Sequence, residues 1–274
     1  MQPREIDVLV ISDVHLGTYG CNAAELNEYL RSVKPKTLVL NGDIIDIWQF
    51  NKNYWPKEHM ETIQIFLDFL KQGVTVYYVT GNHDELMRKF SGFIMGNLHL
   101  VDKVVLNLDG KRAWIFHGDV FDFSVNYGKW IAKFAGKSYD QIIKVNRFIN
   151  FLLVKMGRER VSLSKRIKNS VKRAVKFVSD YEMVAAQHAI DQGYDYVICG
   201  HIHQPQQKVF TNGKGSVTYL NSGDWIENLT ALEYHNGEWK LYSHIDELVH
   251  SLDEIFLPND LPKVPTGAEN LAYL

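Results

Sequence analysis

Five short apolar runs recur along the chain, and each ends in a loop rich in Gly, Asp, Asn or His. Ile6 to Ile11 leads into Asp13, Thr37 to Leu40 into Asp43, and Val74 to Val79 into Asn82. Ala113 to Phe116 leads into His117, and Tyr196 to Cys199 into His201. Continuous apolar runs bounded by turn formers mark strands covered on both faces. Helical periodicity fills the intervals at Ala23 to Val33, Glu58 to Lys71 and Tyr181 to Gln192. This alternation predicts α/β layering, with functional groups collected in loops at the carboxyl ends of strands. Beyond His203 the pattern changes to strands at Gln207 to Thr211, Ser216 to Leu220, Leu229 to Tyr234 and Trp239 to His244. Turns at Asn212-Gly213 and Asn236-Gly237 separate them, which predicts a β-meander forming a second sheet of the same domain. Residues 1–250 are thus expected to make one domain. Pro258, Pro262, Pro265 and Gly267 predict an irregular tail over 251–274.

Charge divides the chain unevenly. The formal net charge is −2, yet Lys129 to Lys176 holds 14 Lys and Arg against 2 Asp and Glu. That stretch lies in a predicted helical insertion over 126–179, between the fourth and fifth loops. It also contains an apolar patch of Phe148, Ile149, Phe151, Leu152, Leu153, Val154 and Met156, and its second part repeats basic residues at spacings near three and four from Lys165 to Lys176. One reading is an amphipathic hairpin packed on the core with a solvated cationic face. The other is a cap over the site, apolar enough for hydrocarbon and basic enough for phosphates or an anionic membrane. Nucleic acid is not expected as a partner, because the basic residues are confined to one insertion without an aromatic base-stacking strip. Cys21 and Cys199 are the only cysteines, and Cys199 ends an apolar run, as a small core residue does. No secretory h-region or bilayer-length apolar run is visible, so a cytoplasmic location is expected.

The loops themselves carry Asp13-Val14-His15, Gly42-Asp43, Gly81-Asn82-His83-Asp84, His117-Gly118-Asp119 and Gly200-His201-Ile202-His203. A single Asp or His in a turn is most often a cap or a solvated residue. Five successive loops that all carry metal-compatible side chains argue otherwise. Asp13, His15, Asp43, Asn82, His117, His201 and His203 supply seven ligands, enough for two octahedral-type divalent ions sharing one carboxylate. Asp43 is the expected bridge, since Gly42 lets its backbone come close. Asp13 and His15 are two residues apart, which in an extended segment turns their side chains to one side. Mixed O and N ligands without thiolate suit manganese, iron, zinc or cobalt. Water activated by the ions is the expected nucleophile of a phosphoryl transfer. His83 is placed to stabilise the phosphoryl group or protonate the leaving oxygen, and Asp46 to orient and charge that imidazole. Asp84 is expected in loop hydrogen bonding. His59, His99, His188, His235, His244 and His250 have no ligand-like setting.

In this order, over residues 13 to 203 and with the later strands to about 245, these motifs resemble the calcineurin-like metallophosphoesterase superfamily. The resemblance implies a β-sandwich flanked by helices, with a dimetal site at one end and a helical insertion as cap. It implies Asp13, His15, Asp43 and His203 on one ion, and Asp43, Asn82, His117 and His201 on the other. His83 and Asp46 match the family's His–Asp pair. Within the superfamily, the Ser12-Asp13-Val14-His15-Leu16 opening and the long basic, apolar insertion resemble the UDP-2,3-diacylglucosamine pyrophosphohydrolases of lipid A synthesis. That likeness implies cleavage to UMP and a lipid monophosphate. Asn82, His83, Lys165, Lys168 and Lys172 would contact the substrate, the insertion would hold acyl chains, and the protein would sit at the inner face of the cytoplasmic membrane. Two departures are visible: well-known members carry Arg at the place of His83, and the Asp-rich stretch after their His-Gly-Asp has no clear counterpart in Val120 to Tyr127. A paralogous phosphodiesterase or phosphatase is the competing expectation, and a non-catalytic scaffold with the same fold is a remote one. The sequence is silent on oligomeric state.

Overall fold

The computed structural model describes residues 3–49, 53–121 and 163–249, with the side chains of 163–174 left aside. The elements in chain order are β1 (Arg4–Ile11), α1 (Ala23–Ser32), β2 (Val33–Asn41), α2 (Lys57–Lys71), β3 (Thr75–Val79), β4 (Ile94–Met95) and β5 (Leu98–Val101). They continue with β6 (Lys103–Leu108), β7 (Lys111–Phe116), α3 (Leu163–Asp191), β8 (Tyr196–Cys199), β9 (Gln206–Asn212), β10 (Gly215–Asn221), β11 (Thr230–His235) and β12 (Glu238–Ser243). Two sheets result. One has the order β12-β11-β1-β2-β3-β5-β4, the other β6-β7-β8-β10-β9. The central pairings β1–β2, β2–β3 and β3–β5 are parallel, as are β7–β8 and β8–β10.

The period of two within each strand builds the layers. In β1, Val8 and Val10 face the second sheet and meet Ala113, Ile115, Ile198 and Leu220. Leu9 and Ile11 face the other way, onto Leu26, Tyr29 and Leu30 of α1 and Phe66 and Phe69 of α2. The second sheet repeats this arrangement: Trp114, Phe116, Val197 and Tyr219 pack under Ala185, Ala186 and Ala189 of α3. The central strands of both sheets are therefore covered on both faces, which is why they read as unbroken apolar runs. Each fully buried Val, Leu or Ile contributes roughly 1.5–3 kcal/mol. Truncating Ile198, with no exposed surface, to Ala would cost about 2–5 kcal/mol through the cavity left between the sheets. Cys199 is fully buried, as expected of it.

The expected meander is corrected. The four late strands form two hairpins that separate. β9–β10 extends the second sheet through parallel pairing of β10 with β8, while β11–β12 joins the first through antiparallel pairing of β11 with β1. The loop of residues 222–229 crosses from one sheet to the other, and it passes beneath the functional loops. Leu163 to Asp191 is one continuous helix that runs through Ser179, where the insertion was expected to end. The apolar stretch Phe148 to Met156 and the tail 251–274 lie outside the described residues. No described helix is long and apolar enough to cross a membrane.

Candidate metal centre

The ligand loops leave their strands by a tight left-handed turn. Asp13, His15, Asp43, His201 and His203 all have φ between 52° and 68°. A non-glycine residue in this region costs roughly 1–3 kcal/mol, and such strain gathers at functional sites. The extended geometry expected for Asp13 and His15 is thereby corrected: the turn brings both side chains to the strand ends. Backbone bonds fix it, from Asp13 N–H to the Gly42 carbonyl (3.1 Å) and from His15 N–H to that of Asp43 (2.9 Å). Gly42 is required here. Its φ is +81°, and a Cβ would collide with the imidazole of His117. Gly81 is equally confined, because a Cβ there would strike the carboxylate of Asp43.

Two sets of ligand atoms converge. Asp13, His15 and His203 lie within 4.8 Å of one another, and so do Asp43, His117 and His201. Asp43 Oδ2 sits between the sets, 3.3 Å from His117 Nε2 and 3.9 Å from His15 Nε2. Asp13 Oδ1 is 3.1 Å from His203 Nε2. The same spacing also admits a set of His15, Asp43 and His83. Outer partners fix the rings: His117 Nδ1 donates to the Asn41 carbonyl (2.9 Å), and His15 Nδ1 donates to Asp46 Oδ2 (3.1 Å). Each ring therefore turns its Nε2 lone pair inward, the arrangement of a metal-ligating imidazole with a carboxylate or carbonyl behind it. Asp13 Oδ1, His15 Nε2, Asn82 Oδ1 and His117 Nε2 are buried without an aligned hydrogen bond. Four orphaned donor atoms at one place are costly unless an ion takes them. The residues present thus fit two divalent cations.

The metal-free electrostatics agree. Burial opposes ionisation of Asp13, but His203 outweighs it and holds the carboxyl at about 2. Asp43 is likewise held far below the carboxylate range, against burial, by His117 and His15. Burial works against the charge on His117, and Asp43 raises it to about 10; burial and Asp13 act in the same way on His203, to about 9. Without metal, both shifts favour positive charge on these imidazoles, at the place where metal charge would stand.

Asp46 holds two rings with a single oxygen. Its Oδ2 is 3.1 Å from His15 Nδ1 and 2.9 Å from His83 Nδ1, the latter a charge contact rather than an aligned hydrogen bond. Its Oδ1 accepts the Gln49 N–H at 2.7 Å. Burial opposes the Asp46 charge, and the two histidines overcome it. Burial lowers the His83 pKa, Asp46 outweighs that, and the result is a raised value for a ring still partly open to solvent. The structure thus brings His83 and Asp46 together beside the ligands. Lys165, Lys168 and Lys172 fall on the α3 backbone, and their side chains lie outside the described residues.

Three supports hold these loops, and only the first was visible in the motifs. Asp84 is fully buried: Oδ1 accepts the Gly81 N–H (2.6 Å), and Oδ2 accepts the Ile44 N–H (3.1 Å) and the Tyr78 hydroxyl (2.7 Å). Burial pushes its pKa up despite those bonds. This is the loop hydrogen bonding expected of it, and it locks the Asn82-His83 loop to the Asp43 loop. The 221–228 segment is the second support. Trp225 N–H bonds the Asp13 carbonyl, Ser222 shares a 2.7 Å hydrogen bond with Ser12, and Asn228 Nδ2 donates to the His203 carbonyl. Asp224 ties that segment together by accepting the N–H groups of Ile226 and Glu227. Third, Arg88 joins the loops of Thr80 and His117 through Asp119, at 3.0 Å. Beside it a groove of about 540 Å³ is lined by Ile47, Trp48, Glu85, Leu86, Arg88 and Lys89. His59 and His244 are buried packing residues; His59 Nδ1 accepts the Gly17 N–H.

A protein 27% identical over 245 residues, covering 86% of this chain and 96% of its own, is the UDP-2,3-diacylglucosamine hydrolase of Aliivibrio fischeri (strain MJ11). The protein of that name from Aeromonas hydrophila subsp. hydrophila is 26% identical, over 87% of this chain and 99% of its own. Among solved structures, an archaeal phosphodiesterase aligns over 86% of this chain and 98% of its own, with 13% identity and a TM-score of 0.43. The calcineurin-like phosphoesterase family model matches residues 6–205, which contain every candidate ligand. With two converging ligand sets inside that span, the chain belongs to the calcineurin-like phosphoesterase family.

Proposed function

We propose that this phosphoesterase cleaves the pyrophosphate of a UDP-2,3-diacylglucosamine-type substrate to UMP and a lipid monophosphate. The observation that carries the chemistry is Asp43 Oδ2 lying between two convergent ligand sets. The substrate rests on relatives of that name aligned over nearly their whole length. Asp13, His15, Asp43 and His203 would hold one ion, and Asp43, Asn82, His117 and His201 the other, with manganese the expected metal. Such ions supply positive charge against phosphoryl oxygens and favour ionisation of water. The protein's own groups do the rest. Asn82 contributes a neutral ligand, so the site carries less negative charge against an anionic substrate. Asp46 holds His83 charged and oriented, and His83 neutralises the phosphoryl group and delivers a proton to the leaving oxygen. Lys165, Lys168 and Lys172 would meet the phosphates, and the apolar stretch Phe148 to Met156 would meet acyl chains at the inner face of the cytoplasmic membrane.

A second reading is a phosphodiesterase or phosphatase with another substrate, favoured by His83 at a place where well-known members of the resembled group carry Arg. The test is turnover of UDP-2,3-diacylglucosamine by metal-stripped protein with added manganese, beside bis(p-nitrophenyl) phosphate. Manganese-dependent release of both UMP and lipid monophosphate is expected. Cleavage of the generic diester alone would overturn the lipid substrate and leave the second reading.

A further inference from the structure

His203 is less enclosed than His15 and His117. The side chains of those two are 7% and 0% exposed, and a carboxylate or carbonyl fixes Nδ1 of each. The His203 side chain is 34% exposed, and its backbone stands in the left-handed region at φ 53°. Packing alone does not hold this ring. Oδ2 of Asp224 faces its Nδ1 at 3.9 Å, a charge contact about 1 Å beyond hydrogen-bond length. Asp224 belongs to none of the five ligand loops; it lies on the crossing between the two sheets, after β10.

The carboxylate is more than its turn requires. Asp224 is fully buried. Its Oδ1 alone accepts the N–H groups of Ile226 (2.8 Å), Glu227 (2.6 Å) and Asn228 (3.2 Å), and so closes the turn. An asparagine oxygen would cap the same three donors with no charge to bury. The second oxygen therefore answers to something else. It accepts Asn228 Nδ2, and that same nitrogen donates to the His203 carbonyl at 3.0 Å. Asp224 thus reaches His203 twice, at the ring directly and at the backbone through Asn228. On its other side, His203 Nε2 lies 3.1 Å from Asp13 Oδ1, within the ligand set of Asp13 and His15. A carboxylate behind Nδ1, with Nε2 turned to the ligand set, is also how Asp46 stands to His15.

We infer that Asp224 is a positioning residue for His203. It sets the angle of the ring and keeps the proton on Nδ1, so that Nε2 turns its lone pair to the cation site of Asp13 and His15. The inference rests on the metal centre and not on the substrate. Calorimetric titration of manganese into the metal-stripped full chain tests it, with thermal unfolding of the metal-free protein alongside. In Asp224→Asn the Oδ1 cap survives, and an NH2 group replaces the oxygen that faces His203. The metal-free midpoint should stay within about 2 °C of wild type. Affinity for one of the two ions should fall by about tenfold or more. Asp224→Ser, which removes Oδ2 and puts no amide in its place, should weaken the same ion. In a His203→Ala chain, adding Asp224→Asn should leave the remaining binding unchanged, because the ring it acts through is gone. Wild-type affinity for both ions in either Asp224 variant overturns the inference. An equal loss with and without the His203 ring also overturns it, by assigning Asp224 to the turn alone. A wild type that takes up one ion contradicts the two-ion centre itself; a wild type that takes up two, beside an unaffected Asp224→Asn, overturns the positioning role alone.

Discussion

Replacing Asp84 by Asn removes one acceptor from a fully buried group that now serves three donors. An amide has one acceptor oxygen and one donor nitrogen in place of two acceptors. The best orientation keeps its oxygen on Ile44 N–H and the Tyr78 hydroxyl and turns its NH2 toward Gly81 N–H, where Asp84 Oδ1 now accepts at 2.6 Å. Donor then faces donor. Leaving the Gly81 N–H unsatisfied costs about 1–3 kcal/mol, and the two surviving bonds lose their charge assistance. Relief from burying a carboxylate offsets part of this, since burial raises the Asp84 pKa. The net is about 2–3 kcal/mol, or roughly 4–5 °C in the midpoint of a chain this size. Tyr78→Phe removes one bond and should cost about 1 kcal/mol. Thermal unfolding of the metal-free protein measures both changes. Asp84→Asn should also weaken metal binding, because the Gly81-Asn82-His83 loop is released from the Asp43 loop. An Asp84→Asn midpoint within about 1 °C of wild type, or a smaller loss than in Tyr78→Phe, would refute the reasoning.

Three further outcomes follow from the same geometry. His83→Gln should lower turnover about 10²–10⁴-fold while two ions remain bound, as read by steady-state kinetics beside metal analysis. Gly42→Ala should weaken metal binding, because φ +81° strains an alanine and its Cβ meets the His117 ring; titration calorimetry would detect the loss. Metal must displace protons from His117, held at about 10, and from His203, held at about 9. Apparent manganese affinity should therefore rise with pH until about pH 9–10, with proton release visible in buffers of different ionisation enthalpy.

Much of the fold was legible because β1, β2, β3, β7 and β8 are covered on both faces, and a run such as Val8 to Ile11 needs no phase to be recognised. Lys103–Leu108 was not recognised: it is an edge strand whose burial alternates between exposed and partly buried, so its apolar signal is diluted. The two late hairpins were visible as hairpins, but their sheets were not. Pairing of β10 with β8 and of β11 with β1 depends on contacts distant in sequence, while turn residues fix only neighbours. At the site, the ligands could be read because their residue types are rare in combination. Most of their supports could not. Asn228 and Trp225 act through backbone N–H and C=O groups brought close only by folding, and Asn is ordinary in any turn; for Asp84 the loop hydrogen bonding was legible but not its partners Gly81, Ile44 and Tyr78. The left-handed conformation of five ligand residues was hidden for a related reason, since it is imposed by bonds such as His15 N–H to the Asp43 carbonyl.

Metal stoichiometry of the wild type and of Asp43→Ala tests the shared carboxylate most directly. Metal-stripped protein loaded with manganese and freed of excess should hold two ions per chain, and Asp43→Ala should lose tight binding of both while keeping its fold. A wild-type chain that saturates with one ion, or an Asp43→Ala chain that retains two, would contradict a centre built around Asp43.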